Sequence, residues 1–391
     1  MIKLIKQRIN LEKSLFLWLF YIDLLFSLMP SWSGSPLYAF VTPDGWGSIW
    51  LHGSLIVVIL LGGVIIIRDR TISIDDITII IFILYLLFLL SIVINGFKSG
   101  GFAIIGIPVS LILFFCILKK LSFKKEHLQI TFYILITWSL LPLIMMVLSP
   151  SLRASFFTAP EGNLMTFSGF ALHRNFYGII TGVTIILVYF KKWKIYWKTL
   201  FLSLLAIGLL LSACRTAMIA TVLSFISILI MNKKISLPYK TLILGTILIV
   251  CGIVYSIITN PQYALRDIEK NSAREIIYSG FYEFILEDPI LGKGENVVYI
   301  SHEFPEGAPA HNFILQTSAN YGIPTLLFWC LLLLLVYKYG KPFVKLGLVY
   351  LFPWGITQPY WGFGVFSAHI VVILFVFRLM DCHLKSLNSR F

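Results

Sequence analysis

Acidic residues and cysteines are both scarce in this chain: 18 Asp and Glu stand against 31 Lys and Arg, with five Cys in 391 residues. Of those cysteines only Cys214 approaches the expected outer face, which excludes a disulfide framework. No HExxH, DxD or Cys cluster is present, so neither a catalytic metal nor any other cofactor is expected. Tandem repeats and low-complexity tracts are missing too. Charge is thin throughout, at 13% of residues against 58% hydrophobic. That balance excludes an ordinary soluble domain.

What the chain does have is apolar length. Its mean hydropathy is +0.90, and the apolar runs fall at about 14–30, 48–67, 76–95, 102–118, 128–148, 176–190, 199–213, 217–231, 241–258, 320–337, 343–360 and 365–380. A helix crossing the hydrocarbon core takes about 20 such residues. The expected fold is therefore all-α, a polytopic bundle of about 12 transmembrane helices forming one integral membrane domain over 1–391. No room is left for a soluble enzyme domain. Within the runs Asp23 is the clear ionisable residue, whereas pumps and permeases place such groups near the midplane.

The excess of positive charge, +13, lies in short gaps between runs, where it reads as a topology signal and not as a nucleic-acid surface. All but eight of the basic residues fall on one side of the series. Both termini are thereby expected in the cytoplasm, with residues 31–47, 149–175 and 259–319 outside. The basic residues before the first run resemble the opening of a signal peptide. No small-residue cleavage site follows, so an uncleaved first span is expected.

The eight exceptions are Lys98, Arg153, Arg174, Arg215, Arg266, Lys270, Arg274 and Lys293. Most are Arg, whereas Lys dominates the other side. Either cation orients a helix, but a guanidinium offers a planar fork that suits phosphate. Arg215 sits in a turn between two short apolar runs, either facing inward to an anion or snorkelling to the interface. Arg274 opens an expected amphipathic helix over 273–287, with Ser272 and Glu275 as a capping box, Ile277, Phe281, Phe284 and Ile285 on one face, and Pro289 as the stop. It could hold a phosphate at the helix N-terminus or pair with Glu275 or Glu269. Gly292-Lys293-Gly294 lacks a full phosphate-loop pattern and reads as a tight turn. His311 closes the long outer loop 259–319 where the chain re-enters the membrane, beside Asn312. An imidazole there can accept a proton from a sugar hydroxyl. His173 has a similar setting beside Arg174 and Asn175, while His302 reads as incidental.

Three stretches carry a family resemblance. Leu211-Ser-Ala-Cys-Arg-Thr-Ala217 is similar to a Leu-Ser-x-Ser-Arg-x-Ala helix end. Ala273-Arg274, continuing through Asp288-Pro-Ile-Leu-Gly-Lys-Gly294, is similar to an Arg followed by Pro-x-x-Gly-x-Gly. His311-Asn-Phe-Ile-Leu-Gln316, followed by Tyr321-Gly-Ile-Pro324, is similar to His-Asn-x-x-Leu…Gly-Ile-x-Gly. In this order they resemble the O-antigen ligase and O-antigen polymerase superfamily of polytopic glycan-assembly enzymes, over roughly residues 165–335. Cys214 departs from the usual Ser, and Arg174 from the Pro often found between His and Asn in the preceding loop.

The resemblance implies a GT-C-like bundle in a bacterial inner membrane, with its active site facing the periplasm. It implies a metal-independent glycosyltransferase that moves a polysaccharide from undecaprenyl pyrophosphate to an acceptor sugar hydroxyl. In a ligase the acceptor is lipid A core; in a polymerase it is another lipid-linked repeat unit. Membrane lipids are the remaining partners implied, and nucleic acid is not among them. Carried over, Arg215 and Arg274 bind pyrophosphate and His311 meets the acceptor, with Arg174, Asn312, His173 and Asn175 as further substrate contacts. A lipid-linked sugar flippase is the contrasting class, and it would require basic residues along a midplane cavity.

Overall fold

The computed structural model describes residues 76–96, 125–158, 166–171, 174–232, 235–243, 274–294 and most of 297–357, with isolated positions beyond. They are mostly helical and fall into two compact units, one within 76–123 and 276–379, the other within 124–275. Seven of the expected apolar runs coincide with described helices. Those at 14–30, 48–67, 102–118, 241–258 and 365–380 lie wholly or largely outside the described residues.

In the 124–275 unit, α1 (Lys125–Leu148), α2 (Arg174–Phe190), α3 (Ile195–Leu211) and α4 (Arg215–Met231) pack around α2. Every α2 residue from Tyr177 to Val188 is buried. Two of the polar groups this traps are satisfied locally, while Thr181 Oγ1 makes no hydrogen bond among the described residues. Tyr177 Oη donates to the Ser139 carbonyl at 2.7 Å, and Thr184 Oγ1 donates to the Ile180 carbonyl at 2.8 Å. Gly208 makes room for that tyrosine, since a Cβ there would stand 2.5 Å from Tyr177 Oη. The loop leading to α2 is partly structured. A 3-10 turn at Pro150–Phe156 runs into β1 (Phe157–Thr158), which pairs antiparallel with β2 (Thr166–Phe167). Phe167 meets Tyr177 edge-on at 4.9 Å, which ties this hairpin to the start of α2.

In the other unit, α5 (Asp76–Ile94) packs against α8 (Ile323–Tyr339) and α7 (Phe313–Tyr321), with α9 (Pro342–Thr357) beside them. Here α6 (Arg274–Glu287), whose residues from Ile276 on belong to this unit, is the expected amphipathic helix, and it buries Ile277, Gly280, Phe281 and Ile285. That face packs on Ala308, Ala310 and Ala319, with Tyr278, Phe284, Val297, Tyr299 and Leu315 at the margin. Full burial of Phe281 stabilises by about 1.5–3 kcal/mol. The helix stops at Glu287, before Pro289, as expected. Ser272 of the expected capping box lies outside the described residues.

One expectation needs correction here. The single run at 320–337 is two helices, broken at Gly322 with φ +86°. A hydropathy window does not see this, since apolar composition is continuous across the break while the backbone turns.

Two described helices are long and apolar enough to cross a membrane, Ile77–Ile94 and Glu126–Leu148, with mean hydropathies of 3.2 and 2.1. Five more apolar helices are of 10–17 residues. Their outward faces carry large exposed apolar groups, among them Phe82, Leu148 and Leu334. Exposed apolar area on this scale suits contact with lipid.

Candidate functional site

The Ser212-Ala213-Cys214-Arg215 turn joins α3 to α4 with no true loop. Ala213 turns the chain at φ +49°, in the left-handed region that L-residues with a Cβ enter at a cost of about 1–2 kcal/mol. Ser212 Oγ donates to the Leu209 carbonyl at 2.6 Å, and the Cys214 amide donates to Ser212 Oγ at 3.3 Å. Cys214 then occupies the N-cap of α4 without a side-chain cap hydrogen bond. It is buried against α2. Its Sγ lies 4.0 Å from the Asn175 carbonyl oxygen, and a Cβ on Gly178 would meet Cys214 Cβ at 2.6 Å. Burial pushes the Cys214 thiol up to about 11, although nearby Arg174 and the first amides of α4 oppose that shift.

That packing brings the N-termini of α2 and α4 to the same end of their unit. Arg174 opens α2 and Arg215 opens α4. Arg274 opens α6 in the same manner. The N-terminal end of a helix carries partial positive charge, so a cation there is opposed by about 0.3–1 kcal/mol unless an anion joins it. Arg215, with Arg174 and Arg274 as the first described residues of their helices, thus stands where an arginine is electrostatically unwelcome in isolation. Among the described residues, the side chains of Arg215 and Arg274 make no hydrogen bond or ion pair, and Arg274 is not held by Glu275. Both are exposed, Arg174 is half-buried, and Asn175 follows Arg174 in the first turn of α2. His173 lies outside the described residues.

Two other cations expected outside, Arg153 and Lys293, are engaged locally. Arg153 Nε donates to the Met146 carbonyl near the end of α1, at 3.4 Å. Lys293 Nζ pairs with Glu287 and, at 3.5 Å, with Asp288. Its hydrogen bond to Glu287 raises the ammonium above the ordinary lysine range.

The Gly292-Lys293-Gly294 segment is a turn and not a phosphate cradle. Its amides are already committed, Lys293 N donating to the Ala319 carbonyl at 2.8 Å and Gly294 N to that of Asn320 at 2.9 Å. The Ile323 amide returns a bond to the Pro289 carbonyl at 2.8 Å. The two backbones are so close that a Cβ on Gly292 would stand 2.5 Å from the Asn320 carbonyl. A Cβ on Gly322 would stand 2.0 Å from the Ile290 oxygen. From α5, Ser91 Oγ donates to the Leu291 carbonyl at 2.6 Å, and Asn95 Nδ2 donates to that of Gly292 at 3.0 Å. The glycine motifs thereby pin the outer segment onto the break between α7 and α8.

His311 lies just before α7, half-buried, with φ +48°. Ala213 and His311 are the two non-glycine residues with positive φ among the described residues. Strained backbone of this kind collects at functional sites. Asn312 is the N-cap of α7, its Oδ1 accepting from the amides of Ile314 and Leu315 at 2.8 and 3.2 Å. This cap fixes the first turn of α7 directly after His311. Gln316 has no role in the sequence reading, yet it is buried beneath this turn and makes three hydrogen bonds. Sequence placed it inside the His-Asn motif, but nothing about a lone glutamine marks it as a hub.

The geometry of these stretches sits where similarity to known proteins is found. No curated protein matches the chain. Residues 200–330 match the family model described as O-antigen ligase, a stretch that contains all three motifs and excludes Arg174 and Asn175. Together with the apolar helices, this match marks an integral membrane protein. Over residues 200–330, about a third of the chain, the protein is thus similar to the O-antigen ligase family, the same superfamily that its three motifs resemble.

Proposed function

We propose that the protein is an O-antigen ligase-type glycosyltransferase, moving a polysaccharide from undecaprenyl pyrophosphate to an acceptor sugar hydroxyl at the outer face of the bacterial inner membrane. The observation that carries this reading is the exposed Arg215 at the start of α4, with Arg274 as the first described residue of α6, in helix ends that favour an anion, within the stretch similar to the O-antigen ligase family. Arg215 and Arg274 hold the pyrophosphate, with Arg174 and Asn175 lending support beside Arg215. The acceptor oxygen attacks the anomeric carbon of the donor. The bond from that carbon to the pyrophosphate oxygen breaks, and the acceptor proton passes to the His311 imidazole. Negative charge grows on the leaving pyrophosphate, and guanidinium groups fixed beforehand stabilise it without a metal. Both termini lie in the cytoplasm in this reading, and residues 31–47, 149–175 and 259–319 lie outside.

Lipid A core is the acceptor proposed, and a lipid-linked repeat unit is the acceptor of the sister polymerase reaction. Deleting the protein and separating the surface glycans on a gel tests the assignment. A bare core without long chains is expected for a ligase. A core carrying one repeat unit identifies the polymerase, and an unchanged pattern overturns both.

A further inference from the structure

Gln316 is held in one orientation by its surroundings. Its Oε1 accepts the Ala310 amide at 2.8 Å, while Nε2 donates to the Val297 carbonyl at 2.8 Å and to Asn320 Oδ1 at 2.9 Å. Flipping the amide would set an oxygen against two oxygens and an NH2 against an N–H, so the assignment is unambiguous. The side chain is 8% exposed, and its partners come from three parts of the chain. Val297 belongs to the outer segment, Asn320 to the last turn of α7, and Ala310 immediately precedes His311. Asn320 is also where the glycine turn docks, through the Gly294 amide.

His311 itself has left-handed backbone, which an L-residue keeps only when its flanks fix it. Two clamps from one helical turn do so. Asn312 caps α7 on one side, and Gln316 grips the Ala310 amide on the other.

We propose that Gln316 is the positioning residue for His311: by anchoring the Ala310 amide to α7 and the outer segment, it aims the imidazole at the acceptor hydroxyl. This rests on the reading of His311 as the acceptor-side base. Gln316 never touches substrate in this account. Its effect therefore falls on turnover and not on donor affinity, because a misaimed base slows proton transfer while the arginines still hold pyrophosphate.

The test uses the full-length protein in lipid nanodiscs, a polyprenyl pyrophosphate-linked glycan and a soluble acceptor saccharide. Gln316→Met keeps the length and removes all three hydrogen bonds. Expected is a fall in kcat of about 10- to 100-fold per folded molecule, with the donor KM changed less than about twofold. Unchanged kcat per folded molecule overturns the inference, as does a rise in donor KM at constant kcat. If Gln316→Met does not accumulate, Gln316→Glu retains the acceptor facing Ala310 and loses the donors. It is expected to show a smaller loss in kcat alone, and full turnover in folded Gln316→Glu is equally fatal. His311→Ala separates the two layers. If that variant retains turnover, the base reading fails; if it is inactive while Gln316→Met is normal, only the positioning role fails.

Discussion

Two turns in this chain share one device and use it differently. In the first, Ala213 takes the left-handed conformation, Cys214 stands at the N-cap, and Arg215 begins the helix. In the second, His311 takes that conformation, Asn312 caps, and Phe313 begins the helix. The strained residue of the first turn has only a methyl group, so its conformation serves the arginine two places on. In the second turn the strained residue is the one proposed as the base. The caps differ as well, since Asn312 binds two amides and Cys214 makes no side-chain cap bond. An exposed arginine with a long stem tolerates a loose cap, whereas a base that must meet one proton needs a rigid mount.

Substitutions can break this comparison, and the largest effect is on chemistry. Arg215→Ala, Arg274→Ala and His311→Ala are each expected to abolish glycan transfer while the protein remains in the membrane at normal level. Arg215→Lys keeps the charge and loses the fork, and a residual rate reduced by about 10- to 100-fold is expected in a transfer assay. Full activity of Arg215→Lys together with His311→Ala would remove the site.

Next comes Gly322→Ala, which adds a Cβ to a residue at φ +86° and directs it 2.0 Å from the Ile290 oxygen. Destabilisation of about 3 kcal/mol or more is expected, read as loss of folded protein in thermal unfolding. Asn312→Ala removes the cap and should lower stability by about 1 kcal/mol, with Asn312→Asp restoring it.

The sharpest contrast comes from glycine at the two strained positions. Ala213→Gly and His311→Gly each relieve left-handed strain of about 1 kcal/mol. Both should melt at or above the parent temperature, yet only Ala213→Gly should still transfer glycan. The smallest effect is at Cys214. Cys214→Ser supplies a cap oxygen and is expected to add up to about 1 kcal/mol. The parent thiol, pushed up to about 11 by burial, should resist maleimide at neutral pH.

Much of the helical framework was legible in sequence because apolar length alone demands it. The run at 76–95 became Asp76–Ile94, and that at 128–148 began three residues earlier, at Lys125. Helix α6 was legible because its apolar spacing and Pro289 act locally. The break at Gly322 had a local sign, glycine followed by Pro324, but its cause is a backbone crossing thirty residues away in sequence. For the site, residue types pointed to the arginines and His311. Their backbone settings did not follow from composition, since left-handed φ at Ala213 and His311 arises from how the flanking helices meet. Asn312, expected as a substrate contact, also caps α7 through its side-chain oxygen, a role that depends on where the helix starts. Gln316 went unnoticed because each of its partners is a backbone group or a neighbour's amide.

The seam between the Pro289–Gly294 turn and the α7–α8 break is made almost entirely of main-chain amides and carbonyls, with glycine at both points of closest approach. Such a joint is indifferent to most side chains. Ile290 and Lys293 lend this seam only main-chain atoms, whereas a Cβ at either Gly292 or Gly322 would strike backbone on the opposite side, so the joint depends on those two positions and little on the side chains between them.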